Sequence, residues 1–99
     1  MLNITKNIDG AKAVFALEGR LDTVTSPDLE SAVKDVIDNV EDLVFDCGRL
    51  DYISSAGLRV LLAAHKTMSK KGGMKVTNVN STIMEIFEVT GFSDILTIE

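Results

Sequence analysis

Apolar and polar positions alternate in blocks along the chain, and the period of each block predicts its element. Leu2, Ile4 and Ile8 with polar residues between them, then Asp9-Gly10, then the run from Ala11 to Leu17, predict two strands joined by a tight turn. The first reads as an edge strand. The second is continuously apolar over residues 13–17, as expected for an interior strand covered on both faces, and Gly19 is expected to break it. Residues 20–25 form a polar loop leading into Ser26-Pro27-Asp28, a capping serine followed by a proline at the first helical position and an acid in the first turn. Leu29, Ala32, Val33, Val36, Ile37 and Val40 then recur at the helical period, so this helix covers a sheet.

Leu43-Val44-Phe45 is too short for a helix and predicts a buried strand, with Asp46 opening a loop that runs to Ser55. From Leu58 the apolar residues Leu58, Leu61, Leu62 and Met68 lie on one face of a helix, with Arg59, Lys66 and Lys70 elsewhere. Lys70-Lys71-Gly72-Gly73 is expected to end it, cations on the last carbonyls and then glycine. Met74, Val76 and Val79 predict a further short strand. Asn80 or Ser81 caps a last helix with Ile83, Ile86 and Phe87 on one face, stopped at Gly91, and residues 93–99 form a tail. The order β-β-α-β-α-β-α predicts a single α/β domain over residues 1–99, with a small mixed sheet of about four strands and three main helices. Right-handed crossovers stepping one way put the helices on one face. The carboxyl ends of the parallel strands then share one edge, which makes neighbours of residues 19–25 and 46–55.

Charge and composition narrow the partners. The formal charge is -5 and the pI about 4.7, which argues against nucleic acid and against anionic membrane surfaces, since both need a basic face. No apolar run approaches membrane-spanning length, so no membrane insertion is expected. Cys47 is the only cysteine, which removes disulfide frameworks and thiolate clusters and fits a reducing, cytoplasmic setting.

The candidate chemistry lies at Ser54 and Ser55, two hydroxyls where a polar loop enters a helix. A helix start leaves backbone N–H groups unpaired and carries partial positive charge, so a hydroxyl there can cap, be modified, or sit beside an anion. One serine can cap while the other projects to solvent. A serine hydrolase would need a base, and His65, the only histidine, lies ten residues along the same helix, roughly 15 Å away. No catalytic residue is assigned on this basis, and His65 reads as packed or solvated. Asp22, Asp46 and Asp51 meet at one edge in the expected fold but show no metal-ligand spacing, so no metal is assigned. Gly72-Gly73 matches no phosphate-cradling pattern, and no cofactor is assigned. Cys47 reads as a small buried residue, and Met68, Met74 and Met84 as core filler.

Residues 51–62, Asp-Tyr-Ile-Ser-Ser-Ala-Gly-Leu-Arg-Val-Leu-Leu, together with Leu17-Glu18-Gly19-Arg20-Leu21-Asp22, resemble the STAS domain of bacterial anti-sigma factor antagonists. The likeness extends over nearly the whole chain in element order and length. It implies a non-catalytic switch protein that binds an anti-sigma factor, itself a serine kinase, and so frees the sigma factor. Phosphorylation of a loop hydroxyl ends the complex, and a serine phosphatase restores it. In the sporulation and stress-response members the target hydroxyl directly precedes the glycine, where this chain carries Ala56; relatives with Ser-Ser-Ala-Gly-Leu imply Ser55 as the target, with Ser54 as the second choice. By the same likeness Gly19, Arg20, Asp22, Thr23, Asp51, Ser54, Ser55, Ala56, Gly57 and Arg59 would form the partner-binding surface. Alternatives are a STAS subunit docked in a transport or signalling complex without a phosphorylation cycle, or a nucleotide-binding module using the helix start as an anion site.

Overall fold

Strands β1 (Leu2–Asp9) and β2 (Lys12–Leu21) pair antiparallel across a two-residue turn in the computed structural model, which describes residues Met1–Glu99. From β2 onward every step is parallel, to β3 (Asp42–Ile53), β4 (Met74–Thr77) and β5 (Thr97–Ile98), in the spatial order β1-β2-β3-β4-β5. Each parallel step needs a crossover, and these are α1 (Ser26–Lys34), α2 (Ser55–Met68) and α3 (Ser81–Thr90). Right-handed crossovers that all advance in one direction put all three helices on one face of the sheet. The burial pattern agrees. Ala13, Phe15, Leu17, Leu43, Phe45, Cys47, Met74 and Val76 alternate into that face and are buried with Leu29, Leu58, Leu61, Ile83 and Phe87 from the helices. The Phe15 and Phe45 rings stack at its centre, 5.7 Å between centroids.

The opposite face is open, which corrects the expectation that β2 is covered on both sides. Val14 and Ala16 are half-buried there. Val14 sits in register with Val44, so neighbouring apolar side chains shield each other across the strands without a second layer. The sheet also has five strands, because Glu99 N–H donates to Val76 O and draws part of the tail into a short parallel β5.

Three boundaries differ from expectation. β2 runs through Gly19 to Leu21: Gly19 takes φ 102°, and a side chain there would collide with the Met1 carbonyl oxygen, so the glycine admits a close strand approach and does not end the strand. β3 continues past Phe45 to Ile53, so residues 46–53 are strand and no loop begins at Asp46. Register shifts between Ala16 and Glu18 and between Gly19 and Arg20 insert extra residues into β3 against β2, and this hides the period of two. α1 ends at Lys34 and gives way to a 3-10 turn at Ile37–Asn39, with Val36 and Val40 still buried. Lys71 does not neutralise the end of its own helix. Its ammonium donates to the carbonyls of Ile37 (2.6 Å) and Val40 (3.1 Å), tying the segment after α1 to the one after α2.

Candidate functional site

The end of β2, the end of β3 and the starts of α1 and α2 meet at one margin of the sheet. The join is direct: Ser54 N–H donates to the Leu21 carbonyl at 2.8 Å, so the serine turn is fastened to the strand end that leads into Asp22. Ser54 has extended backbone (φ -94°, ψ 174°) and is the N-cap of α2, its hydroxyl oxygen accepting from Gly57 N–H at 3.4 Å. Gly57 is required by packing, since a Cβ there would lie 2.7 Å from Leu21 Cγ and 2.9 Å from Ile53 Cγ1. The first turn of α2 therefore lies flat on Leu21 and Ile53, both buried. Ser55 is the first helical residue and is exposed, and no side-chain hydrogen bond engages its hydroxyl. Of the two serines, one is committed to the cap and the other presents its oxygen to solvent.

The neighbouring turn is held much more firmly. Asp22 Oδ1 accepts from Val24 N–H (3.0 Å), Thr25 N–H (3.1 Å) and the Thr25 hydroxyl (3.2 Å). Thr25 Oγ1 accepts from Asp22 N–H (2.9 Å), lies 2.8 Å from the Arg20 carbonyl, and is buried. Ser26 is not the N-cap; Thr25 is, while the Ser26 hydroxyl donates to the Asp22 carbonyl. The Thr25 N–H bond, opposed by desolvation and aided by the Thr25 hydroxyl, Val24 N–H and the Arg20 charge, holds the Asp22 carboxyl below its ordinary value. This self-contained turn lifts Thr23 and Val24 into solvent, Val24 with 84% of its surface exposed.

Thr23, Ser26, Pro27 and Glu30 on one side and Ala56, Arg59, Val60 and Ala63 on the other line a shallow groove between α1 and α2. A second hollow, lined by Val33, Ile37, Val60, Ala64 and Thr67 among others, continues it along the two helices. The fold thus brings together Asp22, Thr23, Ser54, Ser55, Ala56 and Arg59. Arg20 reaches the same margin from the open sheet face, with its guanidinium over the Tyr52 ring (4.5 Å to the centroid) and 3.8 Å from Asp22. Asp51 is exposed at the β3 bulge, between Leu50 paired with Gly19 and Tyr52 paired with Arg20. Gly19 and Gly57 shape the backbone and present no side chain.

Asp46 does not join them. It pairs in register with Ala16 and Thr77, whereas Ile53 pairs with Leu21, five residues further along β2, so Asp46 lies roughly 17 Å down the strand. Its Oδ1 accepts from Gly48 N–H (3.0 Å) and the Asn78 amide (3.1 Å) on the open face. Asp22, Asp46 and Asp51 accordingly do not converge, and no group of three or more His, Cys, Asp or Glu side chains stands in metal-ligating arrangement. His65 is half-buried on α2, with Nδ1 buried and without a hydrogen-bond partner. Cys47 is fully buried, and desolvation, with the Asp46 charge adding to it, pushes its thiol up to about 12. No helix is long and apolar enough to cross a membrane.

Two residues at the margin escaped sequence reasoning. Val24 is an apolar side chain inside a polar loop, and the signal for it was the Asp-x-x-Thr spacing of Asp22 and Thr25, which predicts a side-chain-bonded turn with its middle residues thrust outward. Tyr52, 36% exposed, was hidden by the β3 bulge that turns it under Arg20.

Known proteins resemble the chain in sequence and in fold. Over 90 residues the chain is 37% identical to BtrV of Bordetella bronchiseptica, named as a candidate anti-sigma factor antagonist, covering 89% of this chain and 77% of that protein. An anti-sigma factor antagonist from Mycobacterium paratuberculosis superposes with a TM-score of 0.89 at 24% identity, covering 99% of this chain and 85% of the other. The Bacillus cell fate determinant SpoIIAA in its phosphorylated form superposes at 0.77 with 17% identity, over 98% of this chain and 91% of the other. The family model for the STAS domain matches residues 2–99, and the chain belongs to that family.

Proposed function

We propose that this chain is an anti-sigma factor antagonist whose binding is switched off by phosphorylation of Ser55. The observation that carries the reading is the division of labour between the two serines: Ser54 spends its oxygen on Gly57 N–H, while Ser55 stands exposed beside the Thr23–Val24 turn. The names of its relatives support the antagonist role, and the phosphorylated SpoIIAA structure supports a phosphorylation cycle in that protein's case. In this reading the partner is an anti-sigma factor with serine kinase activity in the bacterial cytoplasm, and a serine phosphatase resets the switch. The chain itself is the substrate and not an enzyme, since its one histidine lies ten residues along α2 from Ser55.

Charge supplies the switch. A phosphoryl group adds roughly -1.5 to -2 charges at neutral pH. The α2 N-terminus would favour that charge, but a partner surface fitted to a neutral hydroxyl, beside the ionised Asp22 and the exposed Asp51, would not. Contacts from Val24, Thr23, Ser55, Ala56 and Arg59 would form the docking ridge, with Arg20 and Tyr52 at its rim. Incubation with the cognate kinase and ATP, followed by peptide mass spectrometry, is expected to find one phosphate, on Ser55. An unmodified chain, or a phosphate on Ser54, overturns the assignment.

A further inference from the structure

β1 is one margin of the sheet and is eight residues long, whereas β5 at the other margin has two. Its hydrogen-bond phase is fixed at three points. Arg20 N–H donates to Met1 O, the Ala11 carbonyl turns away toward Glu41 and Asp42 of the β3 side, and the hairpin closes on the Asp9/Lys12 pair. All three require that the odd residues of β1 bond to β2. The N–H and C=O groups of Leu2, Ile4, Lys6 and Ile8 therefore point off the sheet. On the helix side of this row Leu2 and Ile4 are only half-buried and Ile8 is 47% exposed. The strand has no proline and no bulge, and of the usual devices that keep an edge strand solitary its middle carries only Lys6.

We propose that this edge pairs antiparallel with the β1 of a second copy of the chain, about a twofold axis through Thr5. The stretch from Leu2 to Ile8 matches its own reverse about Thr5 at two of three positions, Asn3 with Asn7 and Leu2 with Ile8, which favours a second copy as the occupant. This register sets Leu2 against Ile8, Ile4 against Lys6, Asn3 against Asn7 and Thr5 against its twin. Among the registers that keep the helices of both copies on one side, it alone gives all four outward residues a partner. A register centred on Lys6 strands Leu2 and opposes two lysines, and one centred on Ile4 strands Ile8. The apolar Leu2 and Ile8 cover each other across the seam, and the Lys6 stem lies along Ile4 with its ammonium in water. The two Ser55 margins then face opposite ends of a ten-stranded sheet, so each stays accessible, and the dimer does not depend on the switch reading.

Sedimentation equilibrium should show the mass rising from 10.7 kDa toward twice that value with concentration. In the Lys6→Pro variant, which deletes an outward N–H that β2 does not use, it should stay at the monomer value. Register is read independently by cross-linking under a mild oxidant, with Cys47 buried and silent. Thr5 twins form a non-hydrogen-bonded pair with Cα atoms roughly 4.5 Å apart, within disulfide range, whereas Asn3 twins are roughly 13 Å apart. Thr5→Cys should therefore cross-link and Asn3→Cys should not. A wild-type mass that stays monomeric into the millimolar range, or cross-linking of Asn3→Cys as readily as of Thr5→Cys, overturns the proposal whether or not Lys6→Pro folds.

Discussion

The starts of α2 and α3 are built on one plan and differ in what surrounds them. Both N-caps are extended, Ser54 with ψ 174° and Asn80 with ψ 172°, and each accepts from the backbone N–H three residues on. Both are followed by an exposed serine, Ser55 and Ser81. At α3 the cap bond is 2.9 Å, and the Asn80 amide also donates to the Leu50 carbonyl at 2.8 Å, which locks the turn to β3. At α2 the cap bond is 3.4 Å and the turn is held by the Ser54 N–H bond to Leu21 and by the contact of Gly57 with Leu21 and Ile53. A hydroxyl at a helix start is therefore not a site by itself. Ser55 differs from Ser81 by standing beside an outward-thrust turn and a groove, where a partner can touch several elements at once.

The largest expected effect follows from that difference. Ser55→Ala should abolish phosphate transfer by the cognate kinase, while Ser81→Ala and Ser54→Ala leave it intact, read as phosphate per chain by mass spectrometry. Loss of transfer in Ser81→Ala would remove the distinction. Ser55→Ala should still bind the anti-sigma partner, and Ser55→Asp should bind at least about tenfold more weakly, or ~1.4 kcal/mol, by titration calorimetry. Equal affinities would break the charge mechanism.

The residues at the third helical position sharpen the comparison next. Ile83 is fully buried, and Ile83→Ala should cost about 2–5 kcal/mol through lost burial and a cavity. Gly57 occupies the same position in α2 but has no room for a side chain. Gly57→Ala should cost about 1–3 kcal/mol by forcing Leu21 or Ile53 aside. Urea unfolding should register both as lower midpoints with unchanged slope. A neutral Gly57→Ala would mean that α2 does not need to lie flat on the strand ends.

How much of this was readable in the sequence depends on whether a local pattern or a distant partner decides the structure. Ser54 as cap, Ser55 as first helical residue and Leu58, Leu61 and Met68 as the buried face follow from adjacent residues, and the structure has them so. The hairpin, the one-sided helices and a cap for α3 at Asn80 or Ser81 were legible for the same reason, and the structure places the cap on Asn80. β3 beyond Phe45 was not. Asp46, Gly48, Arg49 and Asp51 look like a loop, and the buried Leu50 and Ile53 are three apart, because bulges against β2 replace strict alternation. That one boundary error also misplaced Asp46 beside the serines. The role of Lys71 was similarly out of reach, since its acceptors Ile37 and Val40 lie more than thirty residues away.

Removing the caps gives a smaller effect of the same sign. Asn80→Ala deletes two good hydrogen bonds and should cost about 1–2 kcal/mol, whereas Ser54→Ala deletes one long one and should cost about 0.5 kcal/mol. A reversed order in urea midpoints would show that the α2 cap is tighter than its 3.4 Å distance indicates.

The start of α1 completes the series, because there a carboxylate replaces the capping hydroxyl or amide. The folded state holds the Asp22 carboxyl below its ordinary 3.8, first through the Thr25 N–H, so it favours the ionised form. The resulting stabilisation is complete above the unfolded value and is lost as pH falls through the lower, folded value. Asp22→Asn keeps an oxygen that can accept from Val24 and Thr25 but carries no charge. Its urea midpoint should lie below that of the parent near neutral pH, and the gap should narrow below about pH 4 as the parent's carboxylate takes up its proton. The effect is the smallest of the series, since Asp22 is near the surface. A gap that stayed constant from neutral pH to about pH 2 would mean that the turn relies on the shape of the side chain and not on its charge.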